Sequence, residues 1–108
     1  MNYHGHVYYD EKSEQSALKL FEELGKLNLP TLKKLPSVGI PTGPHPLPMF
    51  EIHFAQDDFP FIHTWFKYRR GTLSVLLHEN TNEDQKNHTD GALWLGEKVQ
   101  IDFGYFKN

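Results

Sequence analysis

The sequence predicts an α+β fold in which an antiparallel sheet carries two helices on one face. Three observations favour this class: segments in which apolar and polar residues alternate, two segments with apolar residues at helical spacing, and the order of these segments. The order is strand, helix, weak strand, strand, helix, strand, which is the β-α-β-β-α-β pattern of the ferredoxin-like sandwich. A short C-terminal strand follows, and we expect residues 1–108 to form one domain, because this length supports a single core.

The first strand is predicted over residues 3–9, YHGHVYY, which are rich in aromatic and β-branched side chains. Because side chains alternate along a strand, Val7 faces one side, whereas His4, His6 and Tyr8 face the other. Two histidines therefore share one side of an otherwise apolar segment.

An amphipathic helix and a weak strand come next. Residues 13–29 carry apolar side chains at near-helical spacing after Ser13, a residue type that caps helices. Residues 31–40 have weak strand character and contain Pro36, which cannot donate a hydrogen bond to a neighbouring strand. The second strand is therefore expected at an edge of the sheet.

The second half of the chain repeats the order strand, helix, strand. MFEIHFA at 49–55 alternates, residues 57–71 have the acidic start and basic end typical of a helix, and TLSVLLH at 72–78 alternates again. KVQIDF at 98–103 is predicted as the short closing strand.

The face of the sheet away from the helices is predicted to collect histidines. In the ferredoxin-like layout the first strand lies between the third and the fourth and runs antiparallel to both. Its start therefore lies beside the ends of its neighbours, and this second face is expected to be open. The side chains that alternation assigns to it are His4, His6, Glu51, His53 and His78.

Seven histidines and no cysteine make imidazole and carboxylate the candidate metal ligands of this chain. Histidines two positions apart on a strand have Cα atoms roughly 6.6 Å apart, a separation from which both rings can reach one ion. The spacing alone is not specific, since His-x-His also occurs in strands without metal. His63, beside Trp65, is interpreted as a packing or surface residue, and His53 as a polar residue on a half-solvated face.

Charge and hydropathy argue against two classes of partner. With 11 Lys and Arg against 14 Asp and Glu, the net charge of −3 offers no basic surface for nucleic acid. No segment approaches the roughly 20 apolar residues of a membrane span, and no secretion signal is recognised. We therefore expect a soluble cytoplasmic protein, which the lack of cysteine fits.

Four blocks of sequence resemble those of the DOPA 4,5-dioxygenase family, small extradiol dioxygenases that open aromatic rings. The blocks are YHGHVYYD, GPHPLPMFEIHF, RRGTLSVLLHENTNED and NHTDGALWLGEKVQID, in the order of the family and over almost the whole chain. The resemblance implies a homodimer that opens a catechol such as DOPA with O₂ at a histidine-bound non-haem Fe(II). Purified sites of this kind can also carry another divalent metal.

The resemblance also implies roles for individual residues. Neutral imidazoles leave coordination positions open on Fe(II), where a catechol and O₂ can bind side by side, and a further histidine can move a proton. The expected metal ligands are His6, His78 and His88, with Glu51 as a candidate carboxylate ligand that could equally be a solvated charge or an ion-pair partner. The expected acid–base residues are His4 and His45, and the expected pocket walls are Tyr8, Trp94 and Phe103, with core packing as the alternative for Trp94.

Two other functions remain open on the sequence. A metal-binding or small-molecule-binding dimer would keep the fold and the histidines without turnover. A cofactor-free dimeric α+β-barrel monooxygenase would use the same fold, and its activity would survive a strong chelator. Fold alone does not choose among these functions.

Overall fold

The computed structural model describes residues 2–29, 32–35, 47–80 and 92–99. Five strands, two α-helices and one short 3₁₀ turn make up this part of the chain. In chain order they are β1 (Asn2–Tyr8), α1 (Glu14–Gly25), β2 (Lys33–Leu35), β3 (Met49–Ala55), the 3₁₀ turn (Gln56–Asp58), α2 (Phe59–Arg69), β4 (Ser74–Glu79) and β5 (Ala92–Leu95).

The strands form one sheet in the order β2-β3-β1-β4-β5, and every neighbouring pair is antiparallel. The first strand is central and the second lies at an edge, as the sequence predicts for a ferredoxin-like fold. Pro36, which carried the edge argument, lies outside the described residues, but the three-residue length of β2 agrees with an edge strand.

The hydrophobic core lies between the sheet and the two helices. Val7 on β1, Ile52 on β3 and Val75 on β4 are fully buried on this side, as alternation predicts. Leu24 of α1 and Phe66 of α2 pack into the same cluster. Each such side chain contributes about 1.5–3 kcal/mol on burial, so this layer fixes the orientation of the whole sheet, including its opposite face.

A strand that was not predicted, β5, is the last one described, and residues 100–103 of the segment predicted as the closing strand lie outside the described residues. β5 spans Ala92–Leu95 and pairs with β4, whereas Lys98 and Val99, the described start of the predicted segment at 98–103, are not in a strand. Gly96 adopts a positive φ of 81°, a conformation that favours glycine and ends the strand after Leu95.

The predicted cap of α1 is also different in detail. Ser13 occupies the N-cap position, but its side chain makes no capping hydrogen bond to the helix. The Ser13 hydroxyl instead accepts a hydrogen bond from the Asp10 N–H at 2.9 Å and donates one to Asp10 Oδ1 at 3.0 Å. The entry to α1 is therefore held by a turn closed between Asp10 and Ser13.

The second face of the sheet was expected to be open, and this expectation is wrong. Tyr8 and Leu76 are buried on it, and His6 and His78 retain only 3 % and 2 % of their surface. The apolar side chains that pack beside Tyr8 and Leu76 are Leu47, Met49, Ala92, Trp94 and Val99. Two imidazoles are thus buried on this face, where an unsatisfied polar atom costs free energy.

Candidate metal centre

Three strands bring the histidines of the second face into adjacent rows. In the register of the sheet, His4 on β1 lies opposite His53 on β3 and His78 on β4. His6, two residues further along β1, lies opposite Glu51. Of the residues predicted for the site, His4, His6, His78 and Glu51 are therefore brought together, and His53 joins them.

The buried pair His6 and His78 approaches through one nitrogen of each ring, with Nε2 to Nε2 at 3.0 Å. The Nδ1–H of His78 donates to the carbonyl oxygen of Glu79 at 3.1 Å. Nδ1 of His6 lies 3.3 Å from Oε1 of Glu51 and 3.2 Å from Sδ of Met49, and both neighbours are acceptors. In the neutral imidazoles the proton is then on Nδ1, so the two Nε2 lone pairs face each other.

This donor set fits a divalent metal ion. Two facing lone pairs repel in a buried setting unless a proton or a cation lies between them. With metal–nitrogen bonds of about 2.1 Å, donors at roughly a right angle lie about 3.0 Å apart, which is the separation of the Nε2 atoms of His6 and His78. His4 adds a third ligand atom, and the three ligand atoms lie within 4.8 Å of one another.

Glu51 and His53 form a second part of the site that sequence patterns did not predict in detail. His53 Nε2 contacts Glu51 Oε2 at 2.5 Å. The His53 ring also stacks on His4, with centroids 3.8 Å apart and planes 8° from parallel. The interpretation of His53 as a polar residue on a half-solvated face agrees with its 29 % exposure but does not include these two contacts. Alternation had already placed it on the correct face, and this was the signal available in the sequence.

Tyr8 and Trp94, the predicted pocket walls, lie together beside the histidines. Their rings stack at 5.7 Å, and the Tyr8 ring lies 6.4 Å from that of His6. Burial, and secondarily the Glu51 carboxylate, raise the pKa of the Tyr8 phenol, which therefore stays neutral at physiological pH. Within the described part of the chain, the indole N–H of Trp94 is the one buried side-chain polar atom without a hydrogen-bond partner.

A cavity of about 630 Å³ lies at the Tyr8 end of β1. Tyr8 lines it, together with Leu47 and Val99, whereas neither Trp94 nor any described histidine does. Tyr8 therefore lies both at this cavity and beside the histidine cluster.

The other predicted site residues divide into two groups. His45, His88 and Phe103 lie outside the described residues, so their roles stay predictions. His63 lies on α2, across the sheet from the cluster, and its ring packs on Phe59 with centroids 5.9 Å apart. Its place agrees with the packing role inferred from sequence. No helix in the described ranges has the length and hydropathy to cross a bilayer.

Two curated relatives cover nearly all of this chain. An uncharacterised 21.2 kDa protein of Botryotinia fuckeliana is 31% identical over 94% of the chain. The DOPA 4,5-dioxygenase of Amanita muscaria is 28% identical over 92% of it. The alignments span 61% and 46% of the lengths of these relatives, so the chain corresponds to about half of each.

A solved structure and a family model give the same assignment. The crystal structure of a candidate dioxygenase from Nostoc punctiforme superposes with a TM-score of 0.90 at 28% identity, covering 97% of this chain and 90% of that one. The model of the Dopa 4,5-dioxygenase family matches residues 3–105. The chain therefore belongs to the Dopa 4,5-dioxygenase family.

Proposed function

We propose that this protein is a metal-dependent dioxygenase that opens the ring of a catechol, such as DOPA, with O₂. The observation that carries the proposal is the buried pair of imidazoles with Nε2 atoms 3.0 Å apart and His4 beside them. Family membership supports oxygenase chemistry at this cluster. Fe(II) is the ion we infer, because imidazole ligands suit it and leave positions open.

His6 and His78 are the two proposed ligands with the strongest geometric support. His4 offers the third nitrogen, a role that the sequence analysis gave to His88. When bound, the iron would supply adjacent positions for the two catechol oxygens and for O₂. With His4 as a ligand, the acid–base role expected of His4 or His45 is left to His45 in the proposal, and a histidine suits it because its ordinary pKa is about 6.5.

The surroundings of the histidines favour an aromatic substrate. Tyr8 and Trp94 present stacked rings on the histidine side of the sheet, and offset ring stacking stabilises aromatic pairs by about 0.5–1.5 kcal/mol. These features support a catechol more than an aliphatic substrate.

Oxygen consumption tests the proposal. The protein is loaded with Fe(II) under anaerobic conditions, mixed with DOPA or another catechol, and exposed to O₂. We expect oxygen uptake, a coloured ring-opened product identified by mass spectrometry, and loss of both on adding a strong chelator. His6→Ala and His78→Ala should abolish turnover, and His63→Ala, on the opposite side of the sheet, should retain it.

Three outcomes would contradict the proposal in different ways. Iron bound without oxygen uptake on any catechol would indicate a binding protein. Turnover that survives the chelator would indicate a cofactor-free monooxygenase. Turnover retained in His78→Ala would place the chemistry elsewhere in the molecule. The expected homodimer is tested separately, by light scattering on the eluting protein.

A further inference from the structure

We propose that Glu51 and His53 are positioning residues that hold His6 in its metal-binding tautomer and orientation. The inference rests on the metal site of the proposed function. It goes beyond the sequence-based expectation, in which Glu51 is a candidate ligand, a solvated charge or an ion-pair partner, and His53 is a polar residue on a half-solvated face. The pair would contact the ligand His6 but not the ion itself.

A continuous line of contacts supports this arrangement. His53 Nε2 contacts Oε2 of Glu51 at 2.5 Å, and the other oxygen, Oε1, lies 3.3 Å from Nδ1 of His6. The opposite nitrogen of the His6 ring, Nε2, faces His78. His78 is held from behind in the same way, since its Nδ1–H donates to the Glu79 carbonyl. Carboxylates and carbonyls behind ligand histidines fix the tautomer and raise the basicity of the ligand nitrogen.

Glu51 is on the wrong side of His6 to share an ion with His78. Its nearest oxygen faces Nδ1, whereas the ion between the two histidines would face Nε2. Met49 Sδ also lies near this Nδ1, at 3.2 Å, but a thioether is a weak acceptor compared with a carboxylate. Although the hydrogen bond of this nitrogen is with Met49, the Glu51 carboxylate within ion-pair distance is the charged group that favours a proton on Nδ1 of His6.

A second metal ion among His4, Glu51 and His53 is the main alternative, since their ligand atoms also lie close together. Two features argue against it. The rings of His4 and His53 are stacked almost parallel at 3.8 Å, so their in-plane lone pairs do not converge. The 2.5 Å contact between His53 and Glu51 is also shorter than the roughly 2.9 Å between adjacent ligand atoms of one ion, and it fits a direct hydrogen bond.

Co(II) affinity, measured by competition with a chromogenic chelator, tests the inference without turnover. Removing a carboxylate behind a ligand histidine costs about 10–100-fold in metal affinity, and we expect this loss for Glu51→Ala. Glu51→Gln should recover part of it, because the amide oxygen keeps a polar acceptor beside Nδ1 of His6. His53→Ala should lose less. The double variant should be no weaker than Glu51→Ala, because His53 acts through Glu51.

Matched controls separate this effect from general destabilisation. The controls are Glu23→Gln on α1 and His63→Ala on α2, which repeat the substitutions of Glu51 and His53 on the other side of the sheet. Both variants should retain wild-type Co(II) affinity. The visible spectrum of bound Co(II), which reports the ligand set, should be unchanged in Glu51→Ala at saturating metal. Circular dichroism verifies the fold of each variant, and Glu51→Gln carries the test if the alanine variant does not fold.

Four results would overturn the inference. The first is an unchanged Co(II) affinity in both Glu51→Ala and Glu51→Gln, and the second is a changed Co(II) spectrum in Glu51→Ala, which would make Glu51 a ligand. The third is a second equivalent of bound Co(II) that is lost in His53→Ala, which would indicate a second metal site. The fourth is a wild-type protein that binds no Co(II). The Co(II) affinities could follow the expected order although the iron-loaded protein opens no catechol. That result would support the positioning role and contradict only the proposed function.

Discussion

Gly5 separates the two histidines of β1, and the packing beside it explains why a glycine is there. A Cβ atom at this position would lie 2.9 Å from Cγ1 of Ile52 and 3.0 Å from Cδ2 of Leu77, which are closer than carbon atoms normally approach. Both neighbours are fully buried. Because Gly5 has no side chain, Ile52 of β3 and Leu77 of β4 can both pack directly over the backbone at the centre of β1.

Gly5→Ala should destabilise the fold by about 1–3 kcal/mol, because an added methyl group in a filled core forces its neighbours out of place. Urea unfolding followed by fluorescence measures this as a lower midpoint with an unchanged slope. Gly25→Ala, at the exposed C-terminal residue of α1, is the matched control and should not lower the midpoint. A Gly5→Ala protein as stable as the wild type would mean that Ile52 and Leu77 can shift at no cost.

The positions of individual site residues could be predicted from the sequence where they depend only on the backbone of the strands. The convergence of His4, His6 and His78 follows from two-residue alternation and from antiparallel neighbours, and both are properties of the strands. The contact of Glu51 with His53, and the direction of the His6 ring, depend on side-chain rotamers that no pattern encodes. That is why the residues of the cluster were predictable and their connections were not.

At the scale of elements, local patterns predicted each helix and strand except the last. The closing strand was predicted at 98–103, of which residues 100–103 lie outside the described residues, and β5 forms at Ala92–Leu95, where no strand was predicted. The strand is defined by pairing with the outer edge of β4, a long-range contact that is absent from a short window of sequence. Its position matters for the site, because Trp94 lies opposite Leu76 on the histidine side.

The turn that leads into α1 depends on an ionised Asp10. Its Oδ1 accepts hydrogen bonds from the N–H of Lys12, the N–H of Ser13 and the hydroxyl of Ser13, each at 3.0 Å. The bonds from Ser13, first that of its side chain, lower the pKa of Asp10 below the ordinary value of 3.8. A group with a lowered pKa in the folded state stabilises the fold above its unfolded pKa and loses this effect as the pH falls through the folded value.

Asp10→Ala should therefore lower the melting temperature at pH 7, and the difference from the wild type should shrink as the pH falls below about 3.8. Thermal unfolding of both proteins over a pH series measures the difference. Asp10→Asn, which keeps the accepting oxygen but does not titrate, should retain part of the stability at pH 7. Equal melting temperatures of wild type and Asp10→Ala at pH 7 would contradict a stabilising turn.

At the scale of the whole molecule, one sheet serves two layers of different chemistry. The helix side is a continuous apolar core, and the opposite side encloses imidazoles among aromatic and aliphatic residues. His6 and His78 are 72 positions apart in the chain and meet only when β1 and β4 pair. The donor set therefore exists in the folded state alone, and metal binding at this cluster would be linked to folding.

This linkage predicts that metal raises the melting temperature of the intact protein. Zn(II), a redox-inert ion that accepts imidazole, should stabilise the fold by about 2.7 kcal/mol at a hundredfold excess over its dissociation constant. For a domain of this size that corresponds to roughly 10 °C, and calorimetry with and without Zn(II) measures it. The shift should reverse on adding a chelator.

The same measurement on variants locates the binding site. His6→Ala and His78→Ala should lose most of the shift, because each removes one of the two Nε2 donors that face each other across β1 and β4. His63→Ala should show the full shift, because its ring packs on α2 and does not reach the cluster. The comparison uses the shift within each variant, so a change in metal-free stability does not affect it. An undiminished shift in both cluster variants would mean that Zn(II) binds elsewhere and that the Nε2 pair is a packing feature of the sheet.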